Sequence, residues 1–173
     1  MEAPDATEMR RRIETTLQTH PWLVYETANG GLAGYAYASR HRDRAAYQWS
    51  VDVTVYLDPR FQRAGLGRGL YTSLFALLRL QGYFTACAGV TLPNAASVGL
   101  HRAMGFQPVG VYPRVGYKSG AWHDTAWFSL VLQPHAESPS APTPAPALRP
   151  TPAWQAAVLA GTGSIRLNDS AGD

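Results

Sequence analysis

An α+β domain built on a mixed sheet is the fold class this sequence predicts, on three observations. The 173 residues suffice for one ordinary hydrophobic core and hardly for two. Between residues 5 and 133, apolar periods of 3.6 and of 2 alternate in the order helix, hairpin, strand, helix, strand, helix, strand, strand. From Pro134 the patterning stops: seven of the thirteen prolines fall between positions 134 and 152, among Ala, Ser and Thr. The boundaries are therefore read as a folded domain over 1–134 and a Pro/Ala-rich disordered tail over 135–173, with a short helix around Trp154–Leu159 the sole element expected there.

Each element has its own signal. Asp5 and Glu8 resemble a capping box, and Met9, Ile13 and Leu17 recur at helical spacing, which predicts a helix over 6–18. "WLVYETA" and "GLAGYAYA" flank Asn29, Gly30 and Gly31, an antiparallel hairpin around a turn that tolerates positive φ. In "VDVTVYL", Val51, Val53, Val55 and Leu57 alternate with Asp52, Thr54 and Tyr56, the period of a strand. Leu70, Tyr71, Leu74, Leu77 and Leu78 lie on one side of a helix that Gly82 can end. "YFTACAGV" reads as a buried strand, and Asn94 can cap a short helix closed by Gly105. "FQPVGVY" and "HDTAWFSLVL" supply the last two strands, with Pro108 marking an edge or a bulge in the first.

Composition excludes several classes. A formal charge of +3, with no clustered basic stripe, does not predict a nucleic-acid binder. Of the fifteen basic residues only Lys118 is lysine, which supplies many planar anion binders without naming the anion. A single cysteine, Cys87, precludes an internal disulfide or a multi-cysteine metal centre, and its apolar surroundings predict a buried, inert thiol. No metal site is expected. "MEAPDATEMRRR" lacks the apolar stretch of a secretory signal, and no apolar run approaches the ~18 residues of a membrane span. A soluble, cytoplasmic protein is expected.

The chemistry-bearing stretch is "FQRAGLGRG", residues 61–69. A P-loop needs Gly-Lys-Ser/Thr, but Gly67 is followed by Arg68 and Gly69. A dinucleotide fingerprint needs G-x-G-x-x-G and a downstream acid, yet the spacing here is G-x-G-x-G and no acid occurs from Arg60 to Arg114. What remains is a loop opening a helix, where backbone N–H groups, the helix dipole, Arg63 and Arg68 suit an anion. Taken alone, a plain turn accounts for the stretch equally well.

The spacing Q-x-x-G-x-G, Gln62 to Gly67, resembles the acetyl-CoA pyrophosphate loop of the GCN5-related N-acetyltransferases (GNAT). Downstream, "PNAASVGLHRAMGF" resembles that family's next strand-loop-helix, with Asn94, Ser97 and Gly105-Phe106 at the matching places. Over residues 8–134 the chain is similar to the phosphinothricin and methionine sulfoximine acetyltransferases of that family. The resemblance implies the GNAT fold, a mostly antiparallel mixed sheet flanked by helices, and direct acetyl transfer from acetyl-CoA to the amine of a small amino-acid-like substrate. It implies a general-base role for Asp52, at a position where the family carries Glu, and a role for His101 on the departing thiol. It also implies cofactor contacts by Val55, Tyr56, Leu57, Gln62, Arg63, Ala64, Gly65, Leu66, Gly67, Arg68, Gly69, Asn94 and Ser97, and a substrate contact by Arg44. Taken without the resemblance, Asp52 reads as a solvated strand residue, His101 as structural and Arg44 as a solvated loop cation. The family's usual first strand and helix precede the segment matching residues 5–20, so the resemblance implies an N-terminally shortened domain. It further allows a homodimer, and leaves as alternatives a GNAT enzyme for another small amine or a non-catalytic acyl-CoA-binding module.

Overall fold

The computed structural model describes residues 4–166. Asp5, in extended backbone, accepts a hydrogen bond from the Glu8 amide (2.8 Å) and so caps α1 (Ala6–Leu17). Only half of the capping box forms. The Glu8 carboxylate turns instead to Arg11 and Arg12, 2.8 and 2.7 Å away, because guanidiniums one turn ahead offer charged donors. β1 (Trp22–Glu26) and β2 (Leu32–Arg40) make the expected hairpin, with Gly30 at φ 82° in its turn.

β3 (Ser50–Leu57), α2 (Leu66–Gln81) and β4 (Thr85–Thr91) form a strand-helix-strand crossover, which makes β3 and β4 parallel. Gly82, at φ 91°, ends α2 as its pattern predicts. α3 (Ala95–Ala103) follows, then β5 (Gln107–Lys118) and β6 (Ala121–Val131). The sheet order is β1-β2-β3-β4-β6-β5, and every neighbouring pair except β3 and β4 is antiparallel. Pro108 lies at one of two register shifts on the edge strand β5, where its missing N–H does no harm.

Alternation along the strands sorts their side chains. Ala36, Val51, Val53, Ala86, Ala88 and Phe128 point to the face covered by α2 and α3, where they meet Leu70, Tyr71, Leu74, Phe75 and Phe106 in the main core. The other face carries Trp22, Tyr35 and Tyr37, whose rings stack in a row, together with Asp52, Cys87 and Trp127.

The segment after Pro134 corrects the expectation of a disordered tail. Residues 135–166 are ordered and run the length of α2, from its C-terminal to its N-terminal end. Thr143 N donates to the Gln81 carbonyl, while Gln81 Nε2 donates to both the Thr143 and Thr19 carbonyls at 2.8 Å. α4 (Ala145–Leu148) and α5 (Pro152–Leu159) then place Ala145, Trp154 and Ala157 against Leu77 in a second core. Ser73 Oγ donates to the Val158 carbonyl and accepts from Gly161 N, and Arg166 N donates to the Ala64 carbonyl. The prolines do not prevent this, because two of them sit in the first turns of α4 and α5, where no N–H is needed. The apolar side chains that order the segment lie outside it, on α2. Gly69, Ser73, Leu77 and Leu80 form a second stripe behind the one facing the sheet, so α2 is buried nearly all round. The portion of the expected tail at 167–173 lies outside the described residues.

Candidate active site

β3 and β4 pair only at Ser50–Thr85, Val51–Ala86 and Asp52–Cys87, and beyond that row they part. The opening leaves the later part of β3 without a partner on its β4 side, so backbone donors and acceptors there are free to meet an extended ligand. It forms one end of a cavity of about 680 Å³ lined by Val53–Leu57 of β3, Gly89–Thr91 of β4, the N-terminus of α2 and the face of α3.

The glycine stretch forms the other end. Asp58 accepts from Arg60 N and caps a short 3-10 turn (Pro59–Phe61). Arg63 (φ 65°) and Gly65 (φ 77°) then take left-handed backbone, which lets α2 start at Leu66 without a side-chain cap. Its first N–H groups and the positive end of its dipole border the cavity, and its first turn carries no acid. Gln62, Arg63, Gly65, Leu66, Gly67 and Arg68 all line the cavity, as do Val55, Tyr56, Leu57, Asn94 and Ser97.

Ala64 and Gly69 do not line it, and the reason lies in the C-terminal segment. A Cβ on Gly69 would strike Ile165 and the Gly161 carbonyl, and one on Gly65 would strike the Ser164 carbonyl. Gly69 is therefore small for the packed segment, and Gly65 serves both the segment and the loop. Gly67 alone is small toward the cavity side, where an added Cβ would lie 3.0 Å from Leu100 Cδ2 and 3.3 Å from Leu57 Cδ1.

On α3, Asn94 caps the helix by accepting from Ser97 N (3.0 Å). His101 lines the cavity yet is buried, edge-on to Phe106 and stacked on Phe128. Its Nδ1–H donates to the Ser97 carbonyl (2.7 Å), so Nε2 is the nitrogen that pairs with the Tyr71 hydroxyl (3.0 Å). Burial lowers its pKa against the opposing Ser97 bond, and the ring is neutral at physiological pH. Burial likewise raises Tyr71, which keeps its proton.

Asp52 stands at the apex where the two strands part, on the sheet face opposite the helices. The cavity lining begins at its neighbour Val53. Register places Ser39, Asp52, Cys87 and Ser129 in one row, and His41, two residues past Ser39, turns its Nδ1 onto Asp52 Oδ1 at 2.7 Å. Burial raises the Asp52 pKa, while the His41 bond, the His41 charge and Arg42 act the other way. Cys87 is half-buried rather than buried; burial and then the Asp52 charge push its thiol up to about 11, so it stays protonated.

Sequence reasoning missed four groups here. His41 and Trp127 share the Asp52 face, a relation set by register between strands. Tyr71 was read only as core, and Lys118 reaches the cavity from the end of β5. Arg44 is exposed before a short 3-10 turn and does not line the cavity; Arg42, over the Trp127 ring at 5.9 Å, is the arginine whose charge Asp52 feels. Trp127 Nε1 is buried without a hydrogen-bond partner.

A profile of the Acetyltransferase (GNAT) domain family matches residues 1–127. A phosphinothricin N-acetyltransferase of Streptomyces viridochromogenes is 42% identical over 132 residues, covering 76% of this chain and 69% of that one. An L-methionine sulfoximine/L-methionine sulfone acetyltransferase of Salmonella typhimurium is 38% identical over 117 residues, 68% of each chain. Among solved structures, a GNAT superfamily phosphinothricin acetyltransferase of Sinorhizobium meliloti in complex with AcCoA superposes with a TM-score of 0.73 at 33% identity, covering 81% of this chain and 75% of that one.

Proposed function

The chain belongs to the GNAT acetyltransferase family and is an acetyl-CoA-dependent N-acetyltransferase, and from that premise we propose that its acceptor is the amine of a small amino acid analogue of the phosphinothricin or methionine sulfoximine kind. The observation that carries this reading is the opening between β3 and β4, which begins directly after the Asp52–Cys87 row and whose edges, Val53–Leu57 and Gly89–Thr91, line the cavity. The donor enters from one side of the sheet and the amine from the other. On the Asp52 face, the Arg42 guanidinium and the unpartnered Trp127 N–H suit the anionic group of such an analogue. Inactivation of a toxic analogue in the cytoplasm is the biological role we assign. No described helix is long and apolar enough to cross a membrane.

The residues fit acetyl-CoA: an open strand edge for an extended arm, and free N–H groups at the α2 N-terminus with Arg63 and Arg68 for its phosphates. Bound there, it supplies an acetyl group on a thioester. Asp52 takes the proton from the ammonium so that the nitrogen can attack, and His41 holds the Asp52 carboxylate in place. His101 donates from Nδ1 to the Ser97 carbonyl and accepts the Tyr71 hydroxyl at Nε2, so to serve the departing sulfur the Tyr71 O–H turns from Nε2 toward the thiolate.

Release of free thiol from acetyl-CoA, measured with phosphinothricin, methionine sulfoximine and methionine sulfone, tests the assignment. Turnover with at least one of them is expected. Acetyl-CoA binding without turnover on any amine would instead support a non-catalytic module, and turnover only on unrelated amines would remove the substrate class.

Two substitutions probe the parts separately. Gly67→Val is expected to weaken acetyl-CoA binding by at least ~10-fold, since even the first added carbon crowds Leu100 and Leu57; unchanged affinity in a calorimetric titration would contradict the cradle. His41→Ala removes the bond that opposes the burial-driven rise of Asp52. The Asp52 pKa therefore climbs further, and the acidic limb of the kcat/KM profile moves to higher pH. A profile that stays in place would detach His41 from the base.

A further inference from the structure

We propose that His41, Asp52 and Cys87 form a binding site for a divalent zinc ion, so that the face on which the proposed base stands doubles as a metal-sensitive switch. Three strands build it. Asp52 of β3 and Cys87 of β4 are direct neighbours in the parallel register, and His41 follows the β2 residue in the same row by two positions, on the same sheet face. Their ligating atoms, one nitrogen, one oxygen and one sulfur, all lie within 4.8 Å of one another. Zinc bonds of ~2.0–2.3 Å in a tetrahedron set ligand atoms roughly 3.3–3.8 Å apart, so the cluster closes onto the ion with small side-chain rotations.

The donor set selects the metal. A thiolate with an imidazole and one carboxylate suits zinc, whereas calcium and magnesium call for oxygen cages. Charge balances as well: Zn²⁺ with ionised Asp52, ionised Cys87 and neutral His41 is neutral overall, and Arg42 is the nearby cation. On binding, the Cys87 S–H proton leaves to solvent as the Zn–S bond forms, and His41 gives up its Nδ1 proton while Nε2 carries the ring's remaining one, so the ion replaces the hydrogen bond between His41 Nδ1 and Asp52. The His41 and Asp52 side chains retain 17% and 29% of their exposure, which leaves a path from solvent and room for a fourth ligand, water or substrate.

Cobalt(II) titration of the full chain tests the site without reference to catalysis. Binding is expected to produce a sulfur-to-cobalt charge-transfer band that zinc abolishes. Cys87→Ala should eliminate the band and weaken zinc binding by more than ~10-fold, given that outer-shell changes alone cost ~10–100-fold. A cobalt complex without sulfur character, or equal zinc affinity in Cys87→Ala, would overturn the proposal. Because this site includes the proposed base, zinc should also inhibit acetyl transfer by the native chain and spare the Cys87→Ala enzyme, with a chelator restoring the former. A charge-transfer band accompanied by undiminished turnover would sustain the metal site and count against Asp52 as base, which keeps the two assignments separable.

Discussion

Asp52→Asn is expected to lower kcat by ~10²–10⁴-fold, the range for loss of a positioned base, while acetyl-CoA affinity stays nearly unchanged, since the cavity lining starts beyond Asp52. The same substitution should leave the thermal midpoint level or raise it. The folded-state pKa of Asp52 lies above its ordinary value, with burial as the main cause. A group shifted in that direction favours the fold at pH below its unfolded pKa, and the advantage fades as pH rises through the folded one. At neutral pH the ionised carboxylate is therefore held at a cost, which an amide does not incur. Steady-state kinetics, a cofactor titration and a melting curve on one preparation check all three statements. A large loss of cofactor affinity or a lowered midpoint would show that Asp52 serves the fold instead.

Trp154→Ala is expected to destabilise the protein by ~3–5 kcal/mol, the usual cost of emptying a buried Trp site. Trp154 is 7% exposed and closes the second core against Leu77. Against a typical total of ~5–15 kcal/mol, that loss is a large fraction of the stability. Leu159→Ala, at a side chain 62% exposed in the same segment, should change it by less than ~0.5 kcal/mol. Urea unfolding of the three chains gives the comparison, and equal midpoints would mean that the C-terminal segment is dispensable in solution. Because Gly161, Ser164 and Ile165 press on Gly65 and Gly69, losing the segment should also loosen the loop that opens α2.

Wherever neighbours along the chain decide, the sequence was a sufficient guide. Alternation in "VDVTVYL" assigns Asp52 and Val53 to opposite faces, Gly82 ends α2, Asn94 starts α3, and the order of the two glycine- and asparagine-bearing motifs identifies the family. These signals are local: backbone φ preference, capping and side-chain period act within one or two turns. Tertiary structure decided what depends on distant partners. His41 lies 11 positions from Asp52, and only strand register brings them within 2.7 Å. Cys87 joins them through the short parallel pairing that follows from the α2 crossover. Gly69 looks like part of an anion loop until the segment that covers it is folded back, and that segment, rich in proline and poor in pattern, is ordered by a stripe on α2 far earlier in the chain, with Ser73 and Val158, for example, 85 positions apart. Burial against a remote surface leaves no period in the segment that is buried, so composition alone read it as a tail.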